Sequence, residues 1–350
     1  MSYGLPALAG LGLIMALVLV LPFSVRWVEE ELESFLLVMG CLAVSISRQW
    51  SGLLVAEALS EPIKICCAVL VFGFIFRGFR RAIARGVSRL SAKLGLPAFF
   101  FVLVVTLGLA SSVITAIVAS LILVVAVSAL RLGRKTELSL VILACYSIGL
   151  GAALTPIGEP LSTITTARLA GPPHHADFLF MVKLLWSWLL PGMLILGALA
   201  YAKGKGTVGH SEGLSQEAPE DVWTVVRRAL KVYVFVAALV LLGRGLAPLV
   251  ERWLIRMPVD ALYWVNISSA ALDNATLAAA ELSPRMDIDQ IRAVLIALLV
   301  AGGMLIPGNI PNIISAQKLG IKSREWATEA VPLGLALMTA YFVALKLVAS

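Results

Sequence analysis

Long apolar runs separated by short polar segments dominate the chain from end to end. A helix needs about 20 apolar residues to cross a bilayer, so the chain has room for about ten spans. The pattern therefore predicts an all-α, polytopic (multi-pass) membrane protein. The runs cover residues 4–23, 35–47, 63–76, 97–130, 138–169, 178–201, 229–250, 258–282, 291–314 and 326–348.

Composition and charge also indicate a membrane protein. Of the 350 residues, 60% are hydrophobic and 14% are charged, whereas about 25% of a soluble domain is charged. The net charge of +7 comes from Lys and Arg in short segments between the runs, the pattern expected of cytoplasmic loops. These observations exclude a soluble globule, a nucleic-acid partner and a secreted disulfide scaffold, and they predict contact with the lipid bilayer.

Two of the runs have the wrong length for one straight crossing. Residues 97–130 are too many for one helix and too few for two full crossings, and basic residues flank them on both sides. Both ends are therefore expected in the cytoplasm, which predicts a re-entrant hairpin of two half-length helices with its tip at 110–115. Residues 258–282 are predicted to form a second hairpin that enters from the outside.

Prolines around a glycine interrupt the next run after each hairpin. Proline removes a backbone donor and breaks a helix, so residues 138–169 and 291–314 are predicted to be discontinuous transmembrane helices. The two interrupting sequences are Thr155-Pro156-Ile157-Gly158-Glu159-Pro160 and Ile306-Pro307-Gly308-Asn309-Ile310-Pro311-Asn312.

The order of span, hairpin, broken span and span occurs twice, in residues 63–201 and 229–350. Alternation of the spans gives the two copies opposite orientations, so they are predicted to be inverted repeats. Residues 1–62 would then be N-terminal transmembrane helices, and residues 202–228 a cytoplasmic linker. Inverted repeats with helices broken at matching positions are typical of secondary transporters, and the breaks mark the binding site.

We interpret Asp273 and Glu159 as the only carboxylates at membrane depth, and both lie at the matched interruptions. A carboxylate there is expected to face the bundle interior or a wet cavity. One that holds either a proton or Na⁺, but never both, is sufficient for exchange. The alternatives are structural: Asp273 and Asn274 are favoured capping residues, and Glu159 could cap a half-helix or pair with Arg168.

The sequence contains no nucleotide-binding motif of the type Gly-x-x-x-x-Gly-Lys-Ser/Thr, so ATP is not the expected energy source. The zinc-hydrolase pattern His-Glu-x-x-His does not occur either. We therefore expect a protein that is not an enzyme and that carries no cofactor. The alternative of another class is a membrane enzyme or a non-transporting scaffold.

Three motifs resemble the ion transporter superfamily, which includes NhaD-type sodium/proton antiporters, arsenite exporters and sodium-coupled dicarboxylate transporters. They are Thr-Pro-Ile-Gly at 155–158, Ser-x-x-x-x-Asp-Asn at 268–274 and Pro-Gly-Asn at 307–309. The chain is most similar to a prokaryotic branch of predicted cation transporters. The resemblance implies a homodimer in the cytoplasmic (inner) cell membrane, with a scaffold and a moving transport part.

The resemblance also implies two ion-binding clusters, each made by a hairpin tip and the neighbouring helix break. Na⁺ is expected at Asp273, Asn274 and Asn309. The first cluster joins Ser111, Ser112 and Thr115 to Thr155 and Glu159. The second joins Ser269, Asp273, Asn274 and Thr276 to Gly308, Asn309 and Asn312.

The predicted function is exchange of a monovalent cation, Na⁺ or Li⁺, for a proton. No Lys or Arg is expected at the breaks to bind an anion, and an Asp-Asn pair at a hairpin tip is more typical of the antiporter and arsenite branches. The alternative within transport is a Na⁺-coupled transporter or exporter of a small anion of the dicarboxylate, citrate or arsenite type. Such an anion would bind at half-helix N-termini.

Overall fold

The computed structural model describes residues 5–25, 27–28, 31–205, 222–254, 257–272 and 274–349. Asp273 and the side chain of Thr276, both predicted cation ligands, lie outside the described residues, as does most of the predicted linker. Every regular element within the described residues is helical.

The helices up to the predicted linker have the following bounds: α1 (Leu5–Ser24), α2 (Leu32–Ser47), α3 (Gly52–Leu94), α4 (Leu96–Ile114), α5 (Ala116–Leu130), α6 (Arg134–Ala152), α7 (Pro160–Arg168) and α8 (Phe180–Gly204). After the linker follow α9 (Val222–Leu254), α10 (Val259–Val265), a 3-10 turn (Asn266–Ala270), α11 (Asn274–Glu281), α12 (Ile288–Gly302), a second 3-10 turn (Ile306–Gly308), α13 (Ile310–Leu319) and α14 (Ser323–Ala349).

Within the described residues, five helices are long and apolar enough to cross a membrane, namely α4, α6, α8, α9 and α14. Many large apolar side chains, such as those of Leu53, Leu230 and Leu347, are exposed on the outside of the molecule. A contiguous apolar surface of this kind suits hydrocarbon rather than water. The protein is thus an all-helical, membrane-embedded protein, as the sequence predicts.

Helix α3 differs from the sequence prediction. It is a single helix of 43 residues that includes both the apolar run 63–76 and the basic segment after it, which we expected to be a cytoplasmic loop. Arg, Lys, Ala and Leu are strong helix formers, so the helix continues until Gly95, whose φ is +75°. At 1.5 Å per residue, α3 is about 65 Å long and must extend well beyond the hydrocarbon core.

Helices α4 and α5 form the predicted first hairpin and are separated by Thr115 alone, at a φ of +74°. The break follows Val113 and Ile114, and three successive β-branched residues are poor helix formers. The two helices pack against each other. With 19 residues, α4 is longer than the half-length arm we expected, and the re-entrant path of the hairpin stays a prediction.

The predicted second hairpin is built from much shorter pieces. Its first arm is α10 followed by the 3-10 turn, and its second arm is α11, which has 8 residues. Both arms pack against α12. Thus the second hairpin places more irregular backbone in the protein interior than the first.

The interrupted helices lie at the centre of the molecule. All residues of α6 from Glu137 to Ala152 are buried, and so are all residues of α12 from Ala293 to Gly302. The helices α6 and α12 contact each other, α5 packs against α13, and α7 packs against α11. Each second half of an interrupted helix therefore packs against the arm of the hairpin from the other half of the chain.

Candidate functional site: two interrupted helices

The first interruption, residues 153–159 between α6 and α7, is closed by side-chain hydroxyl groups. Ser111 Oγ donates to Gly108 O at 2.6 Å and to Ile148 O at 3.0 Å. Ser112 Oγ donates to Leu109 O at 2.7 Å. The bonds to Gly108 O and Leu109 O are local bonds within α4, a common arrangement for a short hydroxyl side chain in a helix. The contact of Ser111 with Ile148 O joins α4 to α6.

Thr155 and Ser162 extend this network across the break. Thr155 Oγ1 donates to Ser112 O, and Ser162 Oγ donates to Ala153 O at 2.6 Å. The backbone contributes as well, because Ala116 N donates to Gly158 O at 3.0 Å. The structure therefore brings Ser111, Ser112 and Thr155 together as predicted for the first cluster.

Thr115 lies at the end of α4 and has a local role. Its Oγ1 accepts a hydrogen bond from Val118 N at 3.4 Å, so it caps α5. This capping explains why a hydroxyl residue is suitable at the tip, and it leaves a lone pair of Oγ1 as a further acceptor.

Glu159 is 5% exposed and directly precedes α7, whose first residue is Pro160. Its backbone is extended, and its side chain does not cap the helix. The structural alternative in which Glu159 caps α7 is therefore wrong. A buried carboxylate that performs no capping is a candidate for ion or proton binding.

The second interruption differs because backbone carbonyl groups converge on it. Gly308 ends the second 3-10 turn, and a Cβ atom at this position would lie 2.5 Å from Gly302 O and 2.8 Å from both Ser269 O and Ala270 O. No side chain fits here, so only glycine allows these backbone segments to approach one another so closely. Three carbonyl oxygens, from the end of α12 and from the second hairpin, therefore converge beside Gly308.

Asn312 lies in the first turn of α13 and holds the break together. Its Nδ2 donates to Gly302 O at 2.9 Å and to Leu305 O at 2.8 Å. Its Oδ1 is buried and accepts no hydrogen bond from the described residues. A buried amide oxygen without a donor costs free energy, and a bound cation would remove that cost.

Asn274 begins α11 and approaches the same region. Its Nδ2 lies 3.6 Å from the position of a Cβ on Gly302, and this nitrogen is buried without an acceptor among the described residues. Rotation of the amide group can present Oδ1 in its place. Ser269 Oγ donates to Leu298 O at 3.2 Å, so Ser269 faces Gly308 with its carbonyl rather than its hydroxyl.

Asn309 connects the two halves of the molecule. It directly precedes α13 without capping it, and its Nδ2 lies 2.6 Å from the position of a Cβ on Gly149 in α6. Asn309 therefore packs into α6 at the level of the first interruption. The sequence placed Asn309 in the second cluster only and did not predict this contact.

The oxygen atoms around the second interruption determine which ions it suits. Within the described residues, no three His, Cys, Asp or Glu side chains come together. Carbonyl and amide oxygens are hard ligands, preferred by hard cations rather than by Zn²⁺ or Cu⁺. The arrangement is thus able to accept a hard cation, with the negative end of the α12 dipole adding to the attraction.

The structure buries carboxylates other than Glu159, and one of them lies in the second hairpin. That Asp273 and Glu159 are the only carboxylates at membrane depth stays a prediction. Glu281, at the end of α11, is 6% exposed and accepts a hydrogen bond from the buried Asn266. The signal was present in the sequence, since Glu281 follows three alanines inside an apolar run. The predicted run 258–282 includes this residue, but we did not consider its carboxylate among the buried ones.

A Gly-x-Ser-x-Gly pattern occurs at residues 209–213, and the expectation of a protein that is not an enzyme wrongly assumed that the sequence has none. Hydrolases use this pattern at a sharp turn between a strand and a helix. Here it lies in the polar segment between α8 and α9, outside the described residues.

Comparison with known proteins supplies a family without a function. A search of curated proteins finds no match. A family model described as a protein of unknown function, DUF1646, matches residues 8–348. Because the match covers nearly the whole chain, the protein belongs to the DUF1646 family.

Proposed function

We propose that the protein is a secondary-active transporter that exchanges Na⁺ or Li⁺ for protons across the cytoplasmic membrane of a prokaryote. The observation that carries the proposal is the convergence of Gly302 O, Ser269 O and Ala270 O on the space beside Gly308. Irregular backbone at membrane depth is tolerated where it lines a cavity, and freed carbonyls there bind cations.

In this proposal the cation binds beside Gly308 with Asn274, Asn309 and Asn312 close by. Asp273, next to Asn274 in the sequence, supplies the carboxylate that holds either the cation or a proton. Competition for one carboxylate couples the two movements without ATP. Neither an enzymatic step nor a cofactor is part of this mechanism.

We further propose that the two halves of the chain are inverted repeats, each with a re-entrant hairpin and a broken helix. The matching contacts support this arrangement, because α3 packs on α5 as α9 packs on α11, and α6 packs on α8 as α12 packs on α14. The contacts of α5 with α13 and of α11 with α7 are also equivalent under such a relation.

Labelling tests the topology of both hairpins. In a variant without native cysteines, Lys93→Cys and Lys135→Cys should both resist impermeant thiol reagents in intact cells, while Arg285→Cys should react. All three residues are exposed in the structure. Reaction of only one of Lys93→Cys and Lys135→Cys would show that α4 and α5 cross the membrane instead of forming a re-entrant hairpin.

A small pocket lies next to the second interruption. Ser323 contributes to a lining that is otherwise apolar, and Ala271 and Pro307 connect the pocket to the hairpin and the break. The lining residues are Val18, Pro22, Leu32, Ala271, Leu305, Ile306, Pro307 and Ser323. In the proposed topology this pocket lies on the cytoplasmic side.

The second candidate function is Na⁺-coupled transport of a small anion. It is favoured by the contact between α7 and α11, because α7 begins at the first interruption, α11 begins at the second hairpin tip, and helix N-termini attract anions. However, Glu159 directly precedes α7, and Asp273 directly precedes α11 in the sequence. Carboxylates at these ends would repel an anion, which supports the cation proposal.

Reconstitution into proteoliposomes with an internal pH dye distinguishes the two functions. Addition of Na⁺ or Li⁺ to acid-loaded vesicles should raise the internal pH, whereas K⁺ should have a smaller effect. Uptake of citrate, succinate or arsenite that requires Na⁺, without proton movement driven by the cation alone, would contradict the exchange proposal. We also expect the protein to purify as a homodimer, which mass measurement in detergent would test.

A further inference from the structure

The second hairpin contains a buried carboxylate that the proposed cation site does not use. Glu281 ends α11, and Asn266 begins the 3-10 turn in the other arm. Asn266 Nδ2 donates to Glu281 Oε2 at 2.9 Å. This hydrogen bond joins the two arms about two helical turns, or about 10 Å, from the start of α11.

Both remaining oxygens of the pair are without a donor. Glu281 Oε1 and Asn266 Oδ1 are buried and accept no hydrogen bond from the described residues. An ionised carboxylate beside an amide oxygen that accepts no hydrogen bond is unfavourable in a low-dielectric interior, because neither acceptor is hydrated there. A proton, a cation or a buried water molecule would supply what the two acceptors lack.

Among the described residues, the elements that surround Glu281 offer it no counter-ion. Helix α11 packs against α7, α9, α12 and the first 3-10 turn. Arg168 of α7 is exposed, and Glu159 before α7 is another acid. Lys231 and Arg244 of α9 pair with Glu33 and Glu57, and Arg292 of α12 pairs with Asp289. The side chains of Glu251 and Arg252 in α9 lie outside the described residues.

We propose that Glu281 carries a proton at neutral pH and that Asn266 is its hydrogen-bond partner, which makes the pair a proton-binding site separate from the cation site. A proton on Oε1 supplies the donor that Asn266 Oδ1 lacks, while Asn266 Nδ2 keeps its bond to Oε2. The acid and the amide then satisfy each other in a cyclic pair. The link to exchange rests on the proposed function, but the protonation itself does not.

The protonation can be measured in the purified protein without transport. Infrared spectroscopy at pH 7 should show a carboxylic-acid C=O band that Glu281→Gln removes and that the exposed control Asp289→Asn retains. A hydrophobic carbodiimide, which reacts with protonated carboxyl groups, should modify residue 281 in the wild type. A band that persists in Glu281→Gln, together with no modification of residue 281, would overturn the proposal.

Thermal unfolding supplies a second test. In Glu281→Gln the new amide mimics the protonated acid, so the variant should fold and should unfold near the wild-type temperature at low pH. As the pH rises, the unfolded wild type releases the proton of Glu281 more readily than the folded protein does. The folded wild type therefore loses stability relative to the variant. The difference in unfolding temperature should therefore grow with pH, and a constant difference would contradict the proposal.

Exchange measurements separate this proposal from the proposed function. If Glu281 is protonated and wild-type vesicles show no exchange, the proposed function fails and the Glu281 assignment stands. If exchange occurs and no acid band depends on Glu281, the assignment alone fails. If both hold, Glu281→Gln should lower exchange at least tenfold at neutral pH and flatten its pH profile, whereas Asp289→Asn should change neither.

Discussion

The two interrupted helices occupy comparable positions and are stabilised in different ways. At the first, Ser111, Ser112, Thr155 and Ser162 all donate to backbone carbonyls. At the second, Ser269 also donates to a backbone carbonyl, but the other described polar side chains are amides. Asn274 Nδ2 and Asn312 Oδ1 are buried without hydrogen-bond partners among the described residues.

This difference indicates which break is structural and which is suited to a ligand. A hydroxyl group can satisfy one exposed carbonyl and stay small, so hydroxyl residues close a break by themselves. An amide has a donor group and an acceptor, and a break built from amides retains an unsatisfied atom unless something binds. We therefore expect the first interruption to be mainly a scaffold and the second to hold the cation.

The largest effect is expected from the carboxylate of the second hairpin tip. Asp273→Asn keeps the size of the side chain and removes the charge, so it should abolish cation-dependent proton movement while the protein still folds and inserts. Asp273→Glu should retain part of the activity with a shifted pH optimum. Vesicle assays measure both, and Asp289→Asn, an exposed residue of α12, is the control.

A comparable rate of exchange in Asp273→Asn would assign Asp273 to helix capping. The proposal would then have no carboxylate at the second interruption to bind the cation or the proton. The difference between the two breaks would no longer explain exchange.

A smaller but still strong effect is expected from Glu159, the carboxylate of the first interruption. Because its side chain does not cap α7, Glu159→Gln should leave the helix intact and lower exchange about tenfold, a change of about 1.4 kcal/mol. Normal exchange with an unchanged pH profile would make the first interruption entirely structural and would sharpen the comparison.

Gly308 tests the space at the second interruption. Gly308→Ala places a methyl group against three carbonyl oxygens, and overpacking of this kind costs about 1–3 kcal/mol. We expect a lower unfolding temperature and weaker Na⁺ dependence of exchange. Gly86→Ala is the matched control, since a Cβ there meets nothing within 4 Å. Equal behaviour of the two variants would show that the space is not confined.

The sequence predicted the position of the helix breaks well, because proline and glycine act locally. Thr155–Pro160 and Ile306–Asn312 interrupt helices for the same backbone reasons in any context. The basic segment of α3 was predicted wrongly, since the positive charges that indicate a cytoplasmic location do not prevent helix formation by Arg and Lys.

Contacts between separate helices could not be predicted. The approach of Asn309 to Gly149 depends on how α13 and α6 pack, and the pairing of Asn266 with Glu281 depends on how the two hairpin arms align. Neither is encoded in a local motif. Likewise, the hydroxyl residues of both predicted clusters looked equivalent in the sequence, and only their hydrogen-bond partners separate them.

The smallest effect is expected at the first interruption. Ser112→Ala removes one hydrogen bond to Leu109 O, which contributes about 0.5–1.5 kcal/mol. The variant should unfold at a slightly lower temperature and exchange cations at the wild-type rate. Loss of exchange with unchanged stability would mean that this hydroxyl group binds the ion, contrary to the comparison drawn above.

Equilibrium binding of radioactive Na⁺ to the purified protein tests the central claim most directly, since it requires neither a gradient nor a membrane. Wild type and Ser112→Ala should bind Na⁺ saturably, with affinity that falls as the pH is lowered. Asn312→Ala, which removes the buried amide oxygen beside Gly302 and Leu305, should bind at least about tenfold more weakly, a difference of about 1.4 kcal/mol. Undiminished binding by Asn312→Ala together with lost binding by Ser112→Ala would place the cation at the first interruption and contradict the account.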